Sequence, residues 1–96
     1  MSLREKLKDL SGYVSIAATD APDEYPDWGY ITYESNMTYI KELWVDISPR
    51  LKKDIEKANF VDHKLVEMFV AFEAGDKAKG RQAAWDIYNS EVEKLR

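Results

Sequence analysis

The chain has 96 residues, a hydrophobic fraction of 45%, no cysteine and a formal net charge of −4. This length fits one domain and leaves no room for a second, and the lack of cysteine excludes disulfides and thiolate metal sites. No apolar run is long enough to span a bilayer. We therefore expect residues 1–96 to form one small cytoplasmic domain that does not associate with membranes.

The first predicted element is a helix over residues 3–18. Its apolar residues recur at helical intervals, which places them on one face: Leu3, Leu7, Leu10, Val14 and Ala17. Ser2, followed by Glu5 three residues later, has the pattern of an N-terminal capping box. The alternative is an α+β fold in which residues 13–18 and 30–33 form a small two-stranded hairpin on a helical core, because both segments follow a glycine and are rich in β-branched or aromatic residues.

Residues 19–34 are predicted to form a long loop, because they hold two of the three prolines and one of the four glycines. This loop belongs to the acidic part of the chain, since no Lys or Arg occurs between residues 9 and 40. Loops of this length are uncommon in compact domains and are often functional. The loop is therefore the first place to look for a site.

A long apolar stripe predicts the second helix, over residues 36–58. Steps of three and four residues align its members: Ile40, Trp44, Ile47, Leu51, Ile55 and Ala58. Because the stripe continues across Pro49, we expect one helix that is kinked at the proline. The alternative is that one helix ends near Ile47 and another begins with Ser48 as N-cap and Pro49 at its first position. The stripe could also be the contact surface of a homodimer.

Two further helices are predicted over residues 63–74 and 77–95. Asp62 suits the N-cap of the first, and Gly75 and Asp76 suit the end of that helix and the N-cap of the next. A connection this short makes the two helices an antiparallel hairpin. The predicted fold class is an all-α, up-and-down bundle of four helices with a long acidic aromatic loop.

The candidate site is the part of that loop with the most unusual composition. Carboxylates are mixed there with large aromatic side chains: Asp23, Glu24, Asp27, Trp28, Tyr30 and Tyr33. Aromatic rings are enriched in protein interfaces, and carboxylates attract Lys or Arg on a partner. We therefore predict that these residues bind a protein partner. A second interpretation, compatible with the first, is a flap in which Trp28, Tyr30 and Ile31 cover one end of the bundle while its acids stay in solvent.

His63 and Glu67 are the candidates for an alternative function. They lie one helical turn apart, so they could share a metal ion or a proton in a small metal- or carboxylate-dependent enzyme. A catalytic metal needs about three protein ligands, and no sequence signature supplies the third. The chain also has no phosphate-binding loop, dinucleotide fingerprint or serine-nucleophile elbow. We therefore assign no catalytic residue, no metal site and no cofactor.

The remaining charges indicate no nucleic-acid partner. Basic residues are interleaved with acidic ones, and residues 41–96 carry as many bases as acids. The sequence thus predicts a small protein–protein interaction module, adaptor, regulatory or inhibitory in role. Its expected partner is another protein or a second copy of the chain in a homodimer.

Overall fold

Four helices make up the computed structural model, which describes residues 2–96. The helices are α1 (Leu3–Asp20), α2 (Tyr33–Ile47), α3 (Ile55–Glu73) and α4 (Lys77–Asn89), and short 3-10 turns span Ser48–Arg50 and Val92–Lys94. The predicted all-α, four-helix fold is confirmed. The described residues contain no strand, so the alternative hairpin of residues 13–18 and 30–33 is wrong. None of these helices has the length and hydropathy that crossing a lipid bilayer demands.

α1 begins where the capping pattern predicts. The Ser2 hydroxyl accepts a hydrogen bond from the Glu5 N–H at 3.2 Å, and the helix continues past the predicted end to Asp20. On the side facing α2, Tyr13 packs against Tyr39 with the ring centroids 5.1 Å apart. α1 is therefore anchored at its first turn by its own cap and along its length by the neighbouring helix.

The long kinked helix predicted over residues 36–58 is wrong. α2 ends at Ile47, and after a 3-10 turn that contains Pro49 the backbone is extended at Leu51, with φ −80° and ψ 128°. Proline has no N–H to donate to the preceding helical turn, and its ring crowds a carbonyl of that turn. Leu51 is nevertheless buried, whereas Ile55 is 53% exposed. The stripe therefore does not mark one helix face, because the chain leaves the helix at Pro49 while Leu51 stays in the core.

α3 begins at Ile55, so the predicted start at residue 63 is also wrong. Residues 55–58 belong to α3, although the sequence assigned them to the second helix. The end of the predicted long helix is thus joined to the third helix, and the number of helices stays at four. Asp62, the predicted N-cap, lies inside α3, where its Oδ1 accepts a hydrogen bond from Trp44 Nε1 at 3.0 Å. The preference of Asp for a cap is a local one, and here a partner on α2 overrides it.

The turn between α3 and α4 has the predicted chemistry. Gly75 has φ +80°, a left-handed conformation that glycine adopts without strain. The Asp76 side chain then caps α4 by accepting the Lys79 N–H at 3.1 Å. α4 ends at Asn89 rather than at residue 95, and the chain turns back through Glu91, which has φ 59°.

Every helix contributes a fully buried side chain to the centre of the bundle: Leu10, Ile40, Met68 and Ile87. The predicted stripe of α2 is part of this core, since Trp44 and Ile47 are buried as well. A homodimer would therefore need a contact surface other than that stripe.

Gly80 lets α4 approach α3 closely, and its replacement tests this packing. A Cβ at Gly80 would lie 2.8 Å or less from three atoms of the buried Phe72 ring. We expect Gly80→Ala to lower the free energy of unfolding by about 1–3 kcal/mol, as overpacking does. Gly12→Ala is the matched control, because a Cβ there meets nothing within 4 Å and alanine should stabilise α1 by about 0.5–1 kcal/mol. Urea unfolding measures both variants, and equal effects would contradict the close approach.

Candidate partner-binding site

Residues 21–32 connect α1 to α2, and we call them the connecting segment. The first part of this segment is held to the start of α4. Arg81 Nε donates to the carbonyl of the segment's first residue at 2.7 Å, and the same guanidinium pairs with Glu24. Lys77 Nζ lies 3.0 Å from a carboxylate oxygen of Asp23 and 3.0 Å from one of Glu24. The two cations of α4 therefore clamp this part of the segment.

The clamp shifts the ionisation of its members. Hydrogen bonds from Lys77, and then from Arg81, hold the pKa of Glu24 below its ordinary value. Hydrogen bonds to Asp23 and then to Glu24 raise the pKa of Lys77. These side chains are partly exposed, so each pair alone contributes little to stability. Their effect is to direct the carboxylates of this short stretch toward α4.

A buried amide holds the middle of the connecting segment. Asn36 on α2 is fully buried. Its Oδ1 accepts the Tyr25 hydroxyl at 2.7 Å, and its Nδ2 donates to the Tyr13 carbonyl on α1 at 3.0 Å. Burial raises the pKa of Tyr25 above its ordinary value, and Asp20 adds to the effect. This chain of hydrogen bonds joins the connecting segment to both α1 and α2.

The connecting segment ends in a capping box at the start of α2. Thr32 Oγ1 accepts the Ser35 N–H at 3.1 Å, and Ser35 Oγ accepts the Thr32 N–H at 2.9 Å. Directly after the cap, Tyr33 packs edge-on against Phe72, with the ring centroids 6.0 Å apart. Residues 26–31 are therefore held at both of their ends.

Residues 26–31 form the tip of the connecting segment. The Gly29 N–H donates to the Pro26 carbonyl at 3.1 Å, which closes a tight turn. Trp28 is 86% exposed and Tyr30 is 101% exposed. The flap interpretation is therefore wrong for these two rings, whereas Ile31, its third residue, is half-buried.

The six predicted site residues fall into two groups. Three of them contact other parts of the molecule: Asp23, Glu24 and Tyr33. The other three lie on the tip: Asp27, Trp28 and Tyr30. Within residues 2–96, the carboxylate of Asp27 takes part in no ion pair. The tip thus offers two rings and one carboxylate to a partner.

Sequence reasoning missed Asn36, Lys77 and Arg81, which position the connecting segment. The sequence did contain one indication that the two cations have a special role. Positive charge near a helix N-terminus interacts unfavourably with the helix dipole, so a compensating partner is expected. Their ion pairs with the segment compensate for that placement. Asn36 offered no such signal, since asparagine is mostly found exposed.

His63 and Glu67 line one groove between α3 and the start of α4, with a volume of about 630 Å³. Glu67 is paired with Lys64, whose Nζ lies 3.2 Å from the Glu67 Oε2. In the part of the chain that the structure describes, no three His, Cys, Asp or Glu side chains are grouped to hold a metal ion. The structure therefore supplies no third ligand for this pair.

No protein-family model, curated protein or solved structure matches this chain. Its function is therefore inferred from the placement of its own residues. The tip is the strongest indication of function among them, because its exposed rings lie on a backbone that is held at both ends.

Tyr25→Phe should destabilise the protein, because it removes the hydroxyl that satisfies Asn36 Oδ1. A buried acceptor without a partner costs about 1–3 kcal/mol in the free energy of unfolding. The raised pKa of Tyr25 also contributes stability that is present below its ordinary value of 10.0 and is lost as the pH rises above it. In urea unfolding, the free energy of unfolding of Tyr25→Phe should therefore fall below that of the wild type by this whole amount at neutral pH. Above pH 10 the difference between the two proteins should be smaller.

Tyr30→Phe is the control for this comparison, since that ring is exposed on the tip. It should leave the free energy of unfolding unchanged at both pH values. A Tyr25→Phe deficit that is absent at neutral pH, or constant across the alkaline range, would contradict the buried phenol.

Glu24→Gln tests the clamp through its pH dependence. Because Lys77 and Arg81 lower the pKa of Glu24 in the folded protein, its charge contributes stability that is present above the ordinary value of 4.5 and is lost as the pH falls below it. We expect the variant to be less stable than the wild type at neutral pH and the difference to vanish well below pH 4.5. Urea unfolding at the two pH values measures this. Asp27→Asn removes the same charge from the tip and should show no such change, whereas a Glu24→Gln deficit that persists in acid would exclude a stabilising role for the charge of Glu24.

Proposed function

We propose that this protein is a small cytoplasmic protein–protein interaction module that works without a cofactor. Its partner would contact Asp27, Trp28 and Tyr30 on the tip. The observation that carries the proposal is the nearly complete exposure of Trp28 and Tyr30 on a segment whose ends are held.

Large aromatic side chains supply much of the binding energy of an interface when a partner buries them. Trp and Tyr have only two side-chain torsions each, so ordering them on binding costs little. A single exposed apolar residue is common and needs no explanation. Here Trp28 lies within the tight turn of residues 26–29 and Tyr30 directly follows that turn, which favours a shared contact with one partner.

The way the connecting segment is held supports the same proposal. Asn36 and Arg81 fix the backbone before the tip, and the capping box of Thr32 fixes it after the tip. A loop that is already ordered loses less conformational freedom on binding than a free one. More of the contact energy would therefore appear as affinity.

The carboxylate of the tip that forms no ion pair indicates the chemistry of a partner. Asp23 and Glu24 already pair with α4, so Asp27 is the carboxylate of the predicted site that a partner could neutralise. A complementary surface would present an apolar cleft for the rings with Lys or Arg beside it. The proposal thus narrows the six predicted residues to three.

The alternative of an enzyme that uses His63 and Glu67 stays a prediction, and we propose no nucleic-acid partner. Glu67 already pairs with Lys64, which also pairs with Asp86. Arg50 likewise pairs with a carboxylate of its own chain. These two cations are less available to neutralise phosphate groups, and over residues 41–96 the bases are balanced by an equal number of acids.

Trp28→Ala combined with Tyr30→Ala should abolish capture of the partner and leave the fold intact. Each ring is a hot-spot candidate whose loss costs about 2 kcal/mol or more of binding, or at least about 30-fold in affinity. Because both rings are exposed, helicity and melting temperature should not change. The measurement is affinity capture from a source lysate with the full chain, read by mass spectrometry, beside circular dichroism.

Tyr88→Ala is the matched control, because Tyr88 is an exposed aromatic residue on α4, away from the tip. It should capture the partner as the wild type does. The proposal would be refuted by undiminished capture with the double tip variant, and a loss of helicity in that variant would instead show that the rings serve the fold.

A further inference from the structure

A groove at the start of α1 has a chemistry that complements the tip. Its volume is about 430 Å³, which lies within the range of small binding pockets. Its apolar surface comes from the half-buried Leu3 and from the aliphatic parts of the long side chains around it, whereas Leu7 and Leu95 lie beneath it in the core. Among residues 2–96, the charged side chains that line it are all cations: Arg4, Lys52, Lys53 and Arg96. We call it the cationic groove.

The backbone of the cationic groove is held in place by the chain itself. The backbone N–H groups of Lys52, Lys53 and Asp54 donate to the Arg96 carbonyl at 3.0–3.2 Å. Asp54 Oδ2 in turn accepts the Arg96 N–H at 3.0 Å, and Arg4 donates to the Glu93 carbonyl. These contacts use backbone groups of the two lysines and leave their side chains to face the groove and solvent.

The cations of the groove are less neutralised than those of α4. Within residues 2–96, the side chains of Lys52 and Lys53 take part in no ion pair, whereas Lys77 and Arg81 both pair with carboxylates. The groove therefore keeps positive charge beside an apolar surface. A ligand with a carboxylate next to an aromatic ring would satisfy both features, and an Arg or Lys can also attract an aromatic face.

The tip and the cationic groove lie near opposite ends of α1. Ser2, Leu3, Arg4 and Leu7 bring the start of that helix to the groove, and the connecting segment follows its end at Asp20. A helix of 18 residues is about 27 Å long at a rise of about 1.5 Å per residue. The longest dimension of the whole molecule is 38 Å. The tip therefore cannot reach the groove of its own molecule.

We propose that the tip of one copy docks in the cationic groove of a second copy. Trp28 and Tyr30 would pack on Leu3 and on the aliphatic parts of the lysines, and Asp27 would lie among the cations of the rim. This inference rests on the proposed function, since it names a second copy of this chain as the partner of the tip. Because the two contacting surfaces differ, the interface is head-to-tail, and copies add in a row or close into a ring.

The first test is the association of the purified full chain, measured by sedimentation velocity and native mass spectrometry over a range of concentrations. The wild type should associate more as concentration rises and less as salt rises, because exposed charges are screened. A tip variant (Trp28→Ala with Tyr30→Ala) and a groove variant (Lys52→Glu with Lys53→Glu) should each associate at least about 30-fold more weakly. Lys8→Glu with Lys79→Glu changes the net charge equally outside the groove and should associate as the wild type does.

Mixing the tip variant with the groove variant distinguishes this interface from any symmetric one. The mixture retains one intact tip, on the groove variant, and one intact groove, on the tip variant. It should therefore form a 1:1 heterodimer and nothing larger, although each variant alone is monomeric at the same concentration. The single changes Tyr30→Ala and Lys53→Glu repeat the mixing with a smaller disturbance, and circular dichroism confirms that each variant is folded.

The outcomes separate this inference from the proposed function. A wild type that is monomeric at every concentration, or a mixture without heterodimer, would overturn head-to-tail docking. If the wild type is monomeric but the tip captures a different protein in a Trp28-dependent way, the proposed function stands and only the second copy is excluded. If neither association nor capture occurs, both proposals fail.

Discussion

The buried amide of Asn36 is the contact on which the arrangement of the first half of the chain depends. Its oxygen and its nitrogen each have a partner, the Tyr25 hydroxyl and the Tyr13 carbonyl. An amide buried without these partners would be costly, so the folded protein keeps all three groups together. Once Tyr25 is held in this way, the acids before it reach α4 and the rings after it extend into solvent. The contact of Tyr25 with Asn36 thus lies between the part of the connecting segment that pairs with α4 and the exposed tip.

The positions of the charged side chains follow from tertiary contacts more than from the preferences of the helix in which they lie. Lys77 and Arg81 lie near the start of α4, where the helix dipole disfavours them, and the carboxylates of Asp23 and Glu24 compensate. At the other end of α1, Lys52 and Lys53 line a groove whose charged side chains, within residues 2–96, are all cations. The helical body therefore separates an aromatic tip from a cationic groove, and this separation suits the proposed interaction module.

Patterns that act over a few residues predicted the structure well. The cap at Ser2 and the left-handed turn at Gly75 involve only neighbouring residues, so α1 and the α3–α4 hairpin could be read from the sequence. The failures at Pro49 and Asp62 have a different cause. Leu51 is buried by packing after the helix has ended, and the partner of Asp62 is Trp44, eighteen residues away. Periodicity cannot distinguish such distant contacts from a continuous helix face or a cap.

The sequence by itself determined that the protein is helical and that acidic and aromatic residues concentrate between its first two helices, because periodicity and composition carry that information. It did not determine which candidate residues face a partner. Glu24 and Trp28 lie four residues apart in the same loop, yet one pairs with Arg81 and the other is solvent-exposed. Only the tertiary structure decided this, because Arg81 comes within reach of Glu24 when α4 packs beside α1.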